Sequence, residues 1–448
     1  MMTIANPLDR AFRVTHRGVL AIAIPMTIGY ITTPLLGITD TAVIGRTGEA
    51  AALAGLAIGA VLFDLVFASL NFLRASTTAL VAQAHGRQDA RDQVAVFCRS
   101  MILSLGIGLL LLLLSPLLLK AGLALMGPQG RVAEVTSIYF STRILAGPLT
   151  LANFTIMGFI LGRGKGSLAL GLQIALNGVN ILLSIYLGLH LGWGVSGVAW
   201  GAVAGEATAT LAGLAIILAR TDKALFPSLA ELLDRNKLAQ LFALNRDILI
   251  RSFVLLAAFT VLTRIGTGFG AVTLAANALL MNFFMIASFY LDGIANAAEQ
   301  IVGRAVGARY RPAFDQAVRL TSLWSFGLAL TSLVFFLGTG GAIIDMMTTA
   351  EDVRRVAREF LPWAAITSLT GALAFQMDGV FIGAAWSSDM RNMMLAAFAG
   401  YLLALALFVP LLGNHGLWLA LNLFLAFRGL FLALRLKSRR DQTFSARQ

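Results

Sequence analysis

Apolar residues run along this chain in long blocks, and short polar segments interrupt the blocks at near-regular intervals. A helix that crosses a bilayer needs roughly 20 mostly apolar residues. The pattern predicts twelve of them, at 17–39, 51–74, 93–117, 133–161, 167–189, 194–219, 246–269, 272–300, 315–337, 352–383, 390–411 and 415–436. The fold class is therefore an all-α polytopic membrane protein. The first apolar block is itself the first span. It lacks the short core and small-residue cleavage site of a signal peptide, so none is expected.

The longest polar interruption, 221–245, separates six predicted spans from six. Ser228 and Glu231 stand at capping-box spacing ahead of Leu232, Leu233 and Leu241, which predicts a short amphipathic helix on the cytoplasmic face. A plain solvated linker carries the same topology. The organisation expected is an N-terminal six-helix lobe over 1–220, a linker over 221–245, and a second six-helix lobe with a basic tail over 246–448.

The two lobes repeat each other. Shifted by 221 residues, Ile44 and Gly45 fall on Ile265 and Gly266, Leu53 and Ala54 on Leu274 and Ala275, and Phe63 on Phe284. Val81, Ala84 and Gly86 fall on Val302, Ala305 and Gly307 at the same offset. So do Gly158 and Gly162 on Gly379 and Gly383, and Gly192 on Gly413. Six is even, so the halves share one orientation. They form a parallel repeat about an axis along the membrane normal, an arrangement typical of transporters that rock two lobes around a central cavity.

Composition and charge narrow the function classes. Hydrophobic residues make up 58% and charged residues 12%, against about 25% charged in soluble domains. The net charge of +12 does not point to nucleic acid, because the basic residues sit between apolar blocks. The N-terminus and every second loop, with their flanking helix ends, hold 26 Lys and Arg, and the intervening loops hold 8. The basic set faces the cytoplasm. Both termini are then cytoplasmic, in a bacterial inner membrane with lipid as the surrounding partner. Cys98 is the lone cysteine, and His16, His85, His190 and His415 are scattered at loops and span ends, which offers no metal site. The glycine clusters at 162–166 and 266–270 follow no strand of a βαβ unit, which argues against a dinucleotide loop. No Walker A motif and no nucleophile–base constellation is present. The chain reads as a non-enzyme with no cofactor and no obligate protein partner.

A charge near the bilayer centre costs at least about 2.5–3.5 kcal/mol on insertion scales, so each one asks for a reason. Asp40 closes the predicted first span, which also carries Pro25 and Pro34. A kinkable helix bearing a carboxylate suits ion coupling, and an interfacial cap is the alternative. The position 221 residues on is Val261, so Asp40 is no part of the shared scaffold. Asn153, Asn177, Asn180, Ser184 and Glu206 suggest a polar nest in the N-terminal lobe. Interhelical hydrogen bonding, worth about 0.6 kcal/mol each, is the competing reading. In the C-terminal lobe Asp292, Asn296 and Glu299 share one helix face. Asp378 lies in the tenth span, and Arg251 could pair with one of these acids. A structural ion pair and a substrate role stay open for that set.

Four stretches together resemble the multidrug and toxic compound extrusion (MATE) family, and the resemblance covers nearly the whole chain. The first is 40–45, Asp40 through Gly45, with 52–55. The second is 72–78 with 81–86, including Arg74 and Gln83. The third is Asn180 with 192–199 and Glu206. The fourth is 291–299 with 302–307. The second and fourth resemble the DNA-damage-inducible-F branch in particular. The resemblance implies twelve helices in two lobes flanking a V-shaped central cavity. It implies antiport, with H+ or Na+ moving in as an organic, often cationic, compound moves out. It assigns the coupling proton to Asp40, with Asn180 in the same site. Ser184 and Ala202 stand where many relatives carry an aspartate and a threonine. That departure removes oxygens a sodium ion would want, with Glu206 one turn away as partial compensation. The expectation is a proton-coupled exporter of small organic compounds. The rivals are a flippase for lipid-linked precursors of similar architecture and a non-transporting receptor or scaffold.

Overall fold

A computed structural model describes residues 12–445, so the first eleven residues and the last three, including both termini, lie outside what is described below. Among the described residues, twelve helices are long and apolar enough to cross a membrane. They are α1 (His16–Gly45), α2 (Ala50–Gly86), α3 (Ala90–Leu113), α4 (Gly130–Gly162), α5 (Gly166–His190) and α6 (Gly194–Ala219). The second six are α7 (Arg235–Gly266), α8 (Ala271–Gly307), α9 (Arg311–Met347), α10 (Glu351–Gly383), α11 (Ser387–Leu412) and α12 (Asn414–Ser445). Large apolar side chains such as Leu113, Leu211, Leu403 and Leu411 stand exposed on their outer surface. Lipid can solvate such a surface, while the backbone satisfies its own hydrogen bonds inside each helix.

Several helices outrun the predicted spans. Hydropathy marks the stretch that lipid must cover, and the helix continues past it wherever polar groups find partners. Along the end of α2, Thr77 and Thr78 donate their hydroxyls back to the carbonyls of Leu73 and Arg74 at 2.6 and 2.9 Å. At the start of α7, Asp234 accepts from the amides of Asn236 and Lys237, which caps a helix eleven residues earlier than hydropathy suggests. The last turns of α12 are tied down by Arg439 on Asp389 at 2.5 Å and Arg440 on Asp315 at 3.3 Å. The third span is the opposite case. It ends at Leu113, and a separate helix, Ser115–Met126, starts with Pro116 in its first turn.

The segment 221–245 resolves into two parts. Ser228 and Glu231 form the capping box on a helix of only four residues, Leu229–Leu232. From Arg235 onward the segment is already α7. Glu231 also accepts from Arg91 at 2.9 Å, and its carbonyl accepts from Arg99 at 2.7 Å, which fastens the linker to α3.

Two compact units emerge. Among the described residues, one takes those through Thr27, His85–Gln88, and those from Phe242 on; the other takes Ile28–Ala84 and Asp89–Leu241. The division passes through α1. Within the first unit, the absent side chain of Gly293 on α8 admits the Ala23 carbonyl and the Thr27 hydroxyl.

The offset of 221 recurs in three dimensions. Gly158 and Gly162 on α4 lie against the carbonyls of Arg74 and Thr78 on α2. Gly379 and Gly383 on α10 lie against those of Ala295 and Glu299 on α8. Every one of these partners is displaced by the same 221 residues. Helix ends repeat as well. Gln88 and Arg309 both hold a positive φ, of 59° and 52°, as do Gly164 and Ala385, at 73° and 57°. At each of the four, an amide one residue further on reaches back five residues to a carbonyl: Asp89 to Ala84, Tyr310 to Ala305, Lys165 to Ile160 and Trp386 to Phe381.

The halves differ in continuity. α2 is interrupted by a 3-10 turn at Ala68–Asn71, and α4 by one at Ile144–Ala146. Their counterparts α8 and α10 run unbroken. The first six helices also hold a π turn, Tyr186–His190, at the end of α5.

Candidate functional site

Asp40 lies inside α1 rather than at its end, because the helix continues to Gly45. The residue is half-buried, and its Oδ1 is buried without a hydrogen-bond donor. The Ser184 hydroxyl lies beside the carboxylate. Ser184 itself donates to Asn180 Oδ1 at 3.0 Å, one turn back along α5. Both are fully buried.

A ladder of small residues on α6 sets this geometry. Gly197, Gly201 and Gly205 recur every four residues, which puts them on one helix face. A side chain on Gly197 would strike the Leu187 backbone, one on Gly201 the Ser184 backbone and hydroxyl, and one on Gly205 the Leu176 carbonyl and Asn180. Without side chains there, α5 and α6 meet backbone to backbone. The spacing was open to view in the sequence, and no expectation was drawn from it.

Glu206 projects from the same helix and is 6% exposed. Asn153 on α4 donates Nδ2 to its Oε2 at 2.6 Å and to its carbonyl at 3.0 Å. The other oxygen, Oε1, faces Arg143 Nη2 at 3.7 Å, ion-pair range without a hydrogen bond. Arg143 went unrecognised in the sequence. It is the last α-helical residue before the 3-10 turn of α4, and its guanidinium covers the Phe63 ring at 4.3 Å. Its charge reaches Asp40 on α1, Asp64 on α2 and Tyr139 on α4. Asn177 is held apart from this group by its own bonds. It donates to Thr32 at 2.8 Å and accepts from Gln173 at 3.0 Å.

The other unit centres on Asp378. Its Oδ2 accepts from Arg428 at 2.7 Å and from Arg251, so one carboxylate oxygen meets two guanidiniums. Arg428 is 2% exposed and was not foreseen. Asp292 lies within electrostatic reach of Arg428. Asn296 donates to the Asp292 carbonyl at 2.6 Å, a bond within its own helix. Glu299 is buried, and its backbone carbonyl lies at the Gly383 contact. The C-terminal residues therefore divide into an Asp378–Arg251–Arg428 cluster, with Asp292 at its edge, and a buried α8 face bearing Asn296 and Glu299.

The MatE family model matches twice, over residues 25–186 and 248–409, once in each half. The chain is 37% identical over 415 residues to DNA damage-inducible protein F of Escherichia coli, covering 92% of this chain and 90% of that one. It is 31% identical to a probable multidrug resistance protein NorM of Deinococcus radiodurans, covering 94% of each. Among solved structures, a MATE protein in the straight conformation superposes with a TM-score of 0.87, covering 96% of this chain and 97% of that one. At 17% identity that likeness speaks to the fold.

Proposed function

This chain belongs to the MatE family, and on that premise we propose that it is a proton-coupled antiporter that exports small organic compounds. Members of the family are transporters rather than enzymes, and the twelve apolar helices make this one a multi-pass membrane protein. The multidrug resistance in the name of the Deinococcus relative supports a broad organic substrate. The 26-to-8 division of Lys and Arg supports an inner-membrane protein with both termini in the cytoplasm.

The observation that carries proton coupling is the state of the oxygens around Asp40. Glu206 Oε2 is taken by Asn153, and Oε1 faces Arg143. Asn180 Oδ1 already accepts from Ser184. Asp40 Oδ1 alone is buried with no donor. A proton needs one such oxygen, whereas a hard cation needs several at fixed short distances. Asp40 is thus the coupling residue, with Asn180, Ser184 and Glu206 in support. Asn153, Asn177, Asp292, Asn296, Glu299, Asp378 and Arg251 are the candidates for substrate contact.

In the transport cycle, protonation of Asp40 removes a charge from α1. Pro25 and Pro34 deprive that helix of two amide donors, so a bend there is less costly. The neutral helix bends, the N-terminal half closes on its substrate site, and the compound leaves outward. No cofactor takes part.

Purified protein in liposomes tests the reading, with ΔpH and Na+ gradients imposed separately. Efflux should follow ΔpH and ignore Na+ at clamped pH. Asp40→Asn should abolish the ΔpH response while the protein remains folded. Retained pH-driven efflux in the variant, or robust Na+-driven efflux that the variant loses, would overturn it.

A further inference from the structure

We propose that Arg143 is a tethered cation that denies sodium the N-terminal site and so sets its selectivity for the proton. The inference rests on the proton-coupled reading and names the residue that enforces it.

Position comes first. Arg143 sits near the middle of α4, where the α-helix gives way to Ile144–Ala146 and then Gly147 and Pro148. Its side chain is 14% exposed, so the charge is held away from water. One face of the guanidinium rests on Phe63, a contact that suits a cation at low hydration. Nη2 faces Glu206 at 3.7 Å, and Nη1 is buried with no hydrogen-bond acceptor. A structural arginine would be expected to saturate its donors on one carboxylate. Here the fork is shared among three carboxylates on three helices, Asp40, Asp64 and Glu206, with the Tyr139 hydroxyl bonded to it as well.

Chemistry then decides what the position does. A sodium ion would need oxygens from this same set, and a fixed like charge in their midst repels it. A proton is indifferent to that competition, because it binds one oxygen and leaves neutral O–H behind. Ser184 and Ala202 mark oxygens that are missing, and Arg143 adds an active exclusion. The equivalent position in the other half is Ala364, so the device belongs to one half alone.

The test is equilibrium Na+ binding to the purified full-length chain, titrated with NaCl against choline chloride at constant ionic strength. The wild type should show no saturable sodium signal. Arg143→Gln should acquire one, with affinity tightened at least about tenfold over any residual wild-type binding. Arg143→Lys, which keeps a charge, should remain blind to sodium, an outcome that a merely structural role does not foretell. If Arg143→Gln does not purify as a folded protein, Arg143→Met, which keeps an unbranched stem beside Phe63 without the charge, replaces it, with the same expectation. A neutral variant that stays blind to sodium, or a wild type that binds it as well as the variant, overturns the proposal. The titration requires no transport. A wild type that failed to export on a ΔpH would defeat the coupling reading and leave this result standing.

Discussion

Asn153 grips Glu206 twice, at the carboxylate and at the main-chain carbonyl, with one amide nitrogen 2.6 and 3.0 Å from the two oxygens. α4 and α6 are joined through that nitrogen. Removing it in Asn153→Ala leaves a buried carboxylate oxygen without its donor. The loss should be about 1–3 kcal/mol, read as a lower melting temperature in detergent. Asn153→Asp should cost more, since it sets two acids face to face. Glu206→Gln keeps an accepting oxygen and should be milder than either.

Asp378 presents the reverse arrangement, one carboxylate between two guanidiniums. Asp378→Asn should cost about 3–5 kcal/mol, because Arg428 is left charged and buried without a counter-ion. Asp378→Leu combined with Arg428→Met should cost less than the sum of the two single changes. Equality of the double variant with that sum, measured by chemical denaturation, would show that the two residues do not act as a pair.

The repeated glycines make a matched set. Gly158→Ala and Gly162→Ala should destabilise by about 1–3 kcal/mol, since each new methyl meets a backbone carbonyl that cannot turn aside. Gly379→Ala and Gly383→Ala should do the same by similar amounts. Ala385→Gly should be neutral or stabilising, because Ala385 occupies a left-handed conformation where its counterpart is Gly164. Thermal shifts on the five variants check the set together.

Topology has a direct test. Single cysteines in a Cys98→Ser background at 163–166, 221–245 and 303–312 should react with an impermeant thiol reagent only from the cytoplasm. The uneven placement of Lys and Arg motivates the expectation. Labelling of intact cells at any of these loops would invert or break the assigned orientation.

The sequence carried the architecture because lipid imposes a length and a polarity that composition cannot hide. The offset of 221, the capping box at Ser228 and Glu231, and the partnership of Arg251 with an acid were legible for that reason. Asn153 and Glu206 were legible as members of one polar nest, though not as a direct contact. Arg143 and Arg428 were missed because a charge tally by loops assigns each cation to its nearest loop. It does not separate an arginine at a helix end from one turned inward. The turn at Ile144–Ala146 left a trace in Gly147 and Pro148, whose ring withholds an amide donor. The turn at Ala68–Asn71 left none, as Ala, Ser, Leu and Asn carry no breaker signal there. Helix ends ran long because polar side chains, some local and some on partner helices, hold the end turns in ways hydropathy does not register.

The two interrupted helices have a mechanical consequence. A 3-10 turn has poorer hydrogen-bond geometry than the α-helix on either side, so strain along α2 or α4 concentrates in three or four residues. The same strain in α8 must be shared along an unbroken rod, and in α10 only Pro362 interrupts the run of amide donors. The two halves thus place their weak points differently: 3-10 turns in α2 and α4 of the first, a proline inside α10 of the second. The compliant joint of α4 begins at the residue after Arg143, so flexure there swings a charge.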